Sequence, residues 1–571
     1  MKTNKIFIVA LGLAVTAGLA SCSDNMLNTA SKTQTTTANY YRNATDAYYA
    51  LNGVYDGWQG TVSKGPTFSF YTASEMMADE CLGGTGYTDA RNSQVVDRFS
   101  TKQDVSQNDL YESLWTYYYN AIYRANELII RTDQIDWEGN TALQGQYIGE
   151  ARAIRGILYF DLTRMFGNVP LITTPTKDLV PATPADSIYA QIIADLTYAA
   201  ENIPAKAYPK SSAAQNDGRI TPYAAKAMLA RVYLFYTGYY GKEPVGLTKA
   251  QALQYCEDVI NSGEYQLVKS FKNLWPAAST AWTEDANGTW TKESTYAGAG
   301  NSETILSMKF NYDSDWNGNN NGNRSIVFIG VRGGIFKAPY GQGWGACTVN
   351  TKLVQAYPSG DKRREASIID IANEGIETMK AYQDQGIKDQ REYTGYFIKK
   401  YSPQSKYVKQ SDGSWKLTHD IDGLNANGDF QTNQYQDYVL MRYADVLLMA
   451  AELGSSNAQK YFNEVHQRAY QESDGTLSSD YVEMSATPEN IQKERRLEFA
   501  FEGIRYWDLL RQGVTTAANT IAESSTQVLS GGNKETYEVS AQDIISKKGL
   551  CQIPLTEIQL SNYKLQQNPG W

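Results

Sequence analysis

Apolar residues recur along much of the chain at the spacing of an α-helix, and this pattern limits the possible folds more than any other feature. In residues 145–166 the stripe advances in steps of three or four residues and consists of Tyr147, Ala151, Ile154, Leu158, Leu162 and Met165. Such a stripe occupies one face of a helix. Gly167 and Pro170 follow and predict its end. The sequence therefore predicts a mainly α body.

The same pattern returns in residues 186–202, 220–240 and 248–262, with short connections and small alanines on the stripes. It predicts stacked helical hairpins. They resemble tetratricopeptide repeats, although the regular period of about 34 residues is not kept. We expect the first part of this scaffold to comprise residues 38–268 and the second part residues 437–515.

Residues 269–436 have a different character. Helical stripes fade there, glycine and asparagine accumulate, and short strand-like pieces occur at residues 304–310 and 326–329. Loop-rich segments that interrupt a scaffold commonly contain the binding residues. We predict a loop-rich, partly β insertion lobe that binds the ligand, and an irregular C-terminal segment at residues 516–571.

The N-terminus predicts export. Lys2 and Lys5 precede an apolar run of 15 residues, which is shorter than the about 20 residues of a membrane-spanning helix and suits a secretory signal peptide. The run ends in Leu19-Ala20-Ser21-Cys22, which resembles a bacterial lipobox. We predict that residues 1–21 are removed, that Cys22 is lipidated and that residues 22–37 form a flexible tether. A conventional signal peptide with a chance cysteine is the alternative.

Charge and motif content exclude several functions. The formal net charge of −10 disfavours nonspecific binding to nucleic acid. The two histidines, His419 and His466, are far apart in sequence, which weighs against His-dependent hydrolases and zinc or haem sites. The cysteines other than Cys22 are widely spaced, and neither a GxxxxGKS/T nor a GxGxxG motif is present. We expect no catalytic residues and no cofactor.

Two acidic patterns have functional alternatives. Glu494, Glu498 and Glu502 lie on one helix face, and carboxylates about 5–5.5 Å apart could serve a retaining glycosidase. They alternate with basic residues and one aspartate, which favours a helix with structural salt bridges: Arg495, Arg496, Arg505, Asp508 and Arg511.

A calcium site is the second alternative. Residues 313–318 match the first half of an EF-hand loop, but Arg324 stands where the bidentate glutamate is required. Asp420, Asp422 and Asp429 form another acidic, loop-like segment. A turn rich in glycine and asparagine is the preferred interpretation, so we expect no bound metal.

Motifs along nearly the whole chain resemble the SusD/RagB family of surface glycan-binding lipoproteins. Residues 491–513 are similar to the family's ERR-x-E-x-x-x-E-G-x-R-x-x-D-L-x-R signature. Further matches, in family order, are Trp115 to Asn126, Glu150-Ala151-Arg152 to Gly167–Leu171, Gly218-Arg219, Ser262–Tyr265, Arg442–Asp445, Ile553-Pro554 and Gln567–Gly570. The resemblance is weakest in residues 270–435.

The resemblance implies a binding protein without enzymatic activity. Such proteins are lids on TonB-dependent outer-membrane transporters of the SusC type, and they capture oligosaccharides at the cell surface. Ser23-Asp24-Asn25 is similar to the tether of Bacteroidetes lipoproteins that face the exterior. The expected partners are therefore a SusC-like transporter, a glycan, and the outer membrane through the lipid anchor.

Sugar binding requires an aromatic plate beside planar polar groups, and the chain has 42 tyrosines and 11 tryptophans. Aromatic residues flanked by Gly, Asn, Ser or Asp have no periodic partners, so they are better candidates than those on helical stripes. Trp316 with Asn317, Tyr87, Arg364 and Tyr393 are the predicted ligand contacts, and Trp282, Trp290, Tyr340 and Trp344 are reserves. A peptide-binding lipoprotein of a similar complex is the alternative, and a surface glycosidase is a more remote one.

Overall fold

Consecutive helices of the N-terminal half pack side by side. The structure is a computed structural model that describes residues 40–65, 68–207, 218–313, 320–333, 337–379, 382–419, 429–472 and 474–571. Its first elements are α1 (Ala44–Ser63), α2 (Phe70–Met77), β1 (Cys81–Gly84), α3 (Asn92–Asp97), α4 (Glu112–Ile129), α5 (Thr141–Phe166), α6 (Ala185–Asn202), α7 (Pro222–Tyr240) and α8 (Lys249–Asn261). Helix α1 packs against α4, α5 against α6, and α7 against α8. The predicted helical scaffold is confirmed.

Local sequence signals set the ends of these helices. The Asn140 side chain accepts a hydrogen bond from the backbone N–H of Leu143 and caps α5. Gly167 follows with a φ of +71°, which a glycine adopts without strain. Thr221 caps α7, Pro222 occupies its first turn, and Gly241 ends it in the left-handed region. The apolar stripes and the capping and terminating residues therefore agree on where these helices begin and end.

The middle of the chain forms a lobe of short elements, as predicted. They are α9 (Pro276–Ser279), β2 (Thr280–Glu284), β3 (Trp290–Ser294), β4 (Thr304–Met308), α10 (Arg324–Ile329), β5 (Ala346–Val349), α11 (Thr351–Ala356), α12 (Arg363–Ser367), β6 (Ile368–Asp370), α13 (Ile387–Asp389), β7 (Tyr396–Ile398), β8 (Ser405–Lys409) and β9 (Trp415–His419). The strand-like prediction for residues 326–329 is wrong, because Asn323 caps a short helix there by accepting from the backbone N–H of Ser325.

The C-terminal part returns to helices. Its elements are β10 (Tyr438–Arg442), α14 (Tyr443–Glu452), α15 (Ala458–Arg468), α16 (Pro488–Glu498), α17 (Arg505–Leu510), α18 (Val514–Ala522), β11 (Thr526–Ser530), β12 (Asn533–Tyr537), α19 (Ala541–Ser546) and α20 (Leu555–Leu560). The helix predicted to run from Glu494 to Arg511 is broken, since Phe501 and Gly503 have positive φ angles of 65° and 73°. Residues 516–571 contain a hairpin and three helices, so their description as irregular is wrong.

Long-range strand pairs attach the lobe to the scaffold. Strand β1 pairs with β5, and β4 pairs with β10, both antiparallel. The hairpins β2–β3 and β8–β9 and the pair β6–β7 lie within the lobe. A second hydrophobic cluster fills the lobe separately from the main core and consists of Ala277, Val331, Tyr340, Ile369, Ile371, Ile376, Tyr382, Tyr393 and Phe397. Among the described helices, none combines the length and the apolar composition needed to cross a membrane.

A central charge network joins the lobe to helices α15 and α16. Its carboxylates are Glu303, Asp361, Glu494, Glu498 and Glu502, and its cations are Arg363, Lys400, Arg442 and Arg468. Each of these side chains is at most 4% exposed. Arg442 Nε lies 2.7 Å from Glu502 Oε2, and its Nη1 lies 2.9 Å from Glu498 Oε1. The three glutamates that suggested a glycosidase therefore belong to this network.

Glu498 is the centre of the network. It accepts hydrogen bonds from Arg442, Arg468 and Arg363, which lie on β10, α15 and α12. Burial would raise the pKa of Glu498, but these guanidinium groups outweigh it and hold the pKa well below its usual range. The carboxylate therefore stays ionised at neutral pH.

We expect Glu498→Gln to destabilise the fold by about 3–5 kcal/mol, because it leaves buried guanidinium groups without a counter-charge. Glu489→Gln is the matched control, since Glu489 stands at the start of the same helix with its side chain 77% exposed beside Lys493. Loss of an exposed pair costs at most about 1 kcal/mol. Thermal melting of both variants measures the difference, and equal melting temperatures would contradict a structural role for Glu498.

His466 borders the network and completes its charge balance. Its Nδ1 lies 2.8 Å from Glu494 Oε2, and its Nε2 lies 3.0 Å from the carbonyl oxygen of Val482. Both neighbours accept hydrogen bonds, so only the imidazolium can donate to both. Burial lowers the pKa of His466, but the Glu494 carboxylate outweighs it and raises the pKa above its ordinary value of 6.5. Protonated His466 gives the network's five carboxylates a fifth cation.

This raised pKa predicts a loss of stability at alkaline pH. The contribution of His466 is fully present below about pH 6.5, where both the folded and the unfolded states are protonated, and it is lost as the pH rises through the higher folded pKa. Thermal melting of the wild type should therefore decline on this alkaline side, and His466→Gln should remove that part of the decline. His419→Gln should retain it, because burial lowers the pKa of His419. An unchanged pH profile in His466→Gln would refute the imidazolium assignment.

Candidate functional site

Several predicted residues lie outside the described part of the chain. These are Cys22, Trp316, Asn317, Asp420 and Asp422. The residues that flank the Trp316 segment are described: the backbone N–H of Asn311 donates to the carbonyl oxygen of Asn321 at 3.0 Å. Tyr312 there packs edge-on against Tyr435 with ring centroids 5.9 Å apart. Trp316 and Asn317 therefore remain predictions.

Tyr87 is an exposed aromatic residue, as the sequence predicts. Strand β1 ends at Gly84, which has a φ of +66°, and the chain then turns to present the Tyr87 ring with 45% of the residue exposed. The backbone N–H of Tyr87 donates to the carbonyl oxygen of Asp389 at 2.8 Å. Its ring lies over Gly531 in the β11–β12 turn, where a Cβ atom would approach the ring to 2.9 Å. Only glycine at position 531 leaves room for the ring.

A guanidinium group and two carboxylates lie near the backbone of Gly86 and Tyr87, which carries this ring. Arg332 Nε donates to Asp389 Oδ2 at 2.8 Å, and Arg332 Nη1 donates to the carbonyl oxygen of Trp344 at 3.2 Å. Arg332 also lies 3.6 Å from Asp89, whose Oδ2 accepts from the backbone N–H of Gly86. The two carboxylate side chains are about half exposed. We call Tyr87, Asp89, Arg332, Asp389 and Gly531 the Tyr87 surface.

The Tyr87 surface combines a flat apolar plate with fixed planar polar groups. Such a surface can stack on the C–H face of a ligand while the guanidinium donates to, and the carboxylates accept from, its hydroxyl groups. Arg332 is already held by Asp389 and by a carbonyl oxygen, so little conformational entropy would be lost on binding. Arg332, Asp389 and Gly531 were not predicted from the sequence, because only tertiary contacts bring them to Tyr87.

Tyr393 is buried, which corrects its prediction as a ligand contact. The residue is 7% exposed and belongs to the second hydrophobic cluster. Its backbone N–H donates to the carbonyl oxygen of Leu529 at 2.7 Å, and burial raises the pKa of its hydroxyl to about 12. The prediction of an exposed ring with nothing to pack against is therefore wrong. The reserve Tyr340 belongs to the same cluster and donates its hydroxyl hydrogen to Glu374.

The other predicted contacts lie elsewhere on the lobe. Arg364 is exposed on α12 with Asp370 at 3.9 Å, and its buried neighbour Arg363 makes the ion pair with Asp361 instead. Trp290 stacks on Tyr407 at 3.8 Å, and Trp282 meets the same ring edge-on. The reserve Trp344 is partly buried, and the guanidinium of Arg324 lies over its ring. Of the predicted ligand contacts that the structure describes, only Tyr87 lies together with Asp89, Arg332 and Asp389.

Glu494, Glu498 and Glu502 do not suit the role of catalytic carboxylates in a glycosidase. A general acid requires a raised pKa and access to substrate. The guanidinium groups of the network overcome the effect of burial and hold the pKa of both Glu494 and Glu498 below the ordinary range. Within the described ranges, no three His, Cys, Asp or Glu side chains are grouped closely enough to hold a metal ion.

Comparison with known proteins gives matches along both halves of the chain. A family model described as the SusD family matches residues 302–571, and one described as "Starch-binding associating with outer membrane" matches residues 19–234. SusD-like protein P2 of Formosa agariphila is 25% identical over 90% of this chain and 91% of its own length. A SusD-like protein of Bacteroides ovatus is 26% identical over 72% of this chain and 67% of its own.

Solved structures share the fold. A laminarin binding SusD-like protein superimposes with a TM-score of 0.66 at 26% identity, covering 93% of this chain and all of that one. Surface glycan-binding protein A from Bacteroides thetaiotaomicron in complex with laminarihexaose gives a TM-score of 0.66 at 23% identity, covering 91% of this chain and 98% of the other. The scaffold and the lobe are therefore those of a known architecture.

Proposed function

We propose that this chain, which belongs to the SusD/RagB family, binds an oligosaccharide at the outer membrane through the Tyr87 surface. Family membership supports carbohydrate binding, since one matching family is described as starch-binding and outer-membrane associated. The observation on which the site depends is the exposed Tyr87 ring beside Arg332, Asp89 and Asp389.

The chemistry of this surface suits capture without turnover. A pyranose ring stacks its C–H groups on Tyr87, while Arg332 donates to ring hydroxyls and the two carboxylates accept from them. The surface is shallow and half exposed, so the stacked ring supplies much of the binding free energy, as central aromatic residues do at other interfaces. Laminari-oligosaccharides are the first class to test, because two structural relatives bear names that mention laminarin or laminarihexaose.

We further propose a SusC-like TonB-dependent transporter as the partner and a lipid on Cys22 as the anchor, with the Tyr87 surface facing the exterior. The outer-membrane description of the matching family supports this arrangement. The lipobox-like Leu19-Ala20-Ser21-Cys22 supports the anchor. Release of the bound glycan into the transporter would then complete capture, and the chain itself would catalyse no bond cleavage.

We expect Tyr87→Ala to weaken binding of laminarihexaose roughly 30-fold, which corresponds to the loss of about 2 kcal/mol from a central aromatic contact. Gly531→Val should weaken it similarly, because the added side chain displaces the Tyr87 ring. Tyr123→Ala is the control, since Tyr123 is 51% exposed on the distant helix α4. Calorimetry against laminarihexaose, other hexasaccharides and a peptide panel measures the effect. Binding of peptides but of no glycan would replace this proposal by the peptide alternative.

Anchoring and assembly are tested together by Cys22→Ala. In a host that lacks the transporter, the variant should move from the membrane fraction to the soluble fraction, because the lipid is then its remaining attachment. In a host with the transporter, wild-type protein should co-purify with a large β-barrel protein from mild detergent extracts. Membrane retention of the variant without the transporter would contradict lipidation, and recovery of the wild type as a free monomer would contradict the partner.

A further inference from the structure

A cavity of about 300 Å³ opens on the lobe away from the Tyr87 surface. Its walls come from the hairpin β2–β3, the end of β4 and residues 402–404 and 434–437. The residues that contact Tyr87, namely Asp389, Arg391 and Gly531, are not among its lining residues. Leu529 of β11 and Leu417 of β9 both pack on the second hydrophobic cluster.

The walls of the cavity include two tyrosines and three glutamines. Tyr296 and Tyr435 line it, and Tyr435 is 37% exposed. The amide nitrogens of the glutamines are held by backbone carbonyls: Gln436 Nε2 donates to Lys400 at 2.7 Å, Gln404 Nε2 to Ser402 at 2.8 Å, and Gln434 Nε2 to Phe430 at 3.2 Å. The orientation of each amide is therefore fixed before any ligand arrives.

One polar atom in this wall lacks its partner. Gln436 Oε1 is buried and accepts no hydrogen bond from any residue that the structure describes. Turning the amide over would place this oxygen against the Lys400 carbonyl, so the orientation is not arbitrary. An unsatisfied buried acceptor destabilises the folded protein. A ligand that donates a hydrogen at this point would recover that free energy.

The chemistry of the cavity favours a ligand with hydroxyl groups. Gln436 Oε1 is a hydrogen-bond acceptor, so it would repel a carboxylate or sulfate oxygen. Lys309 and Asp437, which both line the cavity, neutralise each other in an ion pair. Thr280 and Ser294 add hydroxyl groups 3.2 Å apart on the hairpin wall. Aromatic faces with amide acceptors suit the C–H face and hydroxyl rim of a sugar.

The hairpin extends this wall with aromatic side chains. In the β2–β3 register Thr280 pairs with Ser294, Trp282 with Lys292 and Glu284 with Trp290, so these side chains share one face. Trp282 and Trp290 therefore continue the face that lines the cavity. Trp282 Nε1 is a buried donor without a partner among the described residues. A sugar chain leaving the cavity along the hairpin would meet this donor.

We propose that this cavity is a second oligosaccharide-binding site, separate from the Tyr87 surface, in which Tyr435 supplies the stacking face and Gln436 Oε1 accepts a sugar hydroxyl. The inference rests on the proposed function, since it assumes a carbohydrate ligand. Two sites on one chain allow a single polysaccharide to contact both, so that its second contact becomes intramolecular.

Hydrogen exchange measured by mass spectrometry tests the cavity directly. The probes are laminarihexaose and hexasaccharides of α-1,4-glucan, β-1,4-xylan and β-1,4-mannan, added at increasing concentration to the Cys22→Ala chain. We expect the hexasaccharide that protects residues 85–91 to protect residues 290–296 and 434–437 as well. Tyr435→Ala and Gln436→Met should each weaken the second protection more than about 10-fold and leave the first unchanged. Tyr87→Ala should do the reverse, and Tyr123→Ala should change neither.

The outcomes separate the two proposals. Protection of residues 85–91 alone, at millimolar ligand, would overturn the second site and leave the proposed function intact, because the cavity would then hold water only. Equal loss of both protections in Tyr435→Ala, with an unchanged melting temperature, would indicate one continuous site and would also overturn the inference. Absence of protection anywhere with every hexasaccharide would overturn both.

Discussion

Buried ion pairs around Glu498 fix how the lobe sits on the helical scaffold. Arg363 and Lys400 come from the lobe, Arg442 from the strand that joins it, and Glu494 and Glu498 from helix α16. Such a network is energetically asymmetric: replacing the whole by packed apolar residues is often neutral, whereas losing one member costs several kcal/mol. Its geometry therefore specifies one arrangement of lobe and scaffold, and both candidate binding places depend on that arrangement.

The spacing of apolar residues predicted the helices of the N-terminal half reliably. The stripes predicted α5, α6, α7 and α8 closely. Helices α6 and α8 bury mainly one face, whereas the second half of α5 is buried on all sides. The pattern failed where tertiary contacts override it. Leu440 lies at helical spacing from Ala444 but belongs to β10. It is a bulge residue between the pairs Val439–Ser307 and Met441–Leu306, and its carbonyl oxygen accepts from Arg231 Nη1 before α14 begins.

The candidate site shows the same division between local and tertiary information. Tyr87 follows a glycine-rich segment and does not belong to a helical stripe, so the sequence indicated its exposure. Tyr393 has a similar local sequence, yet Tyr382 and Phe397 enclose its ring within the lobe. Arg332 and Gln436 gain their roles from partners distant in sequence, which composition and spacing do not reveal. The family resemblance supplied the function class, whereas the positions of the polar groups required the structure.

The contact between Tyr87 and Gly531 also has a consequence for the order in which the protein is made. The ring lies near the beginning of the described chain, and the glycine that it covers lies in the last hairpin. During synthesis the ring is present long before the surface that supports it. A chain that ends before the last hairpin therefore lacks the glycine on which the Tyr87 ring lies. The contact between Tyr87 and Gly531 therefore forms only after the last hairpin has been made.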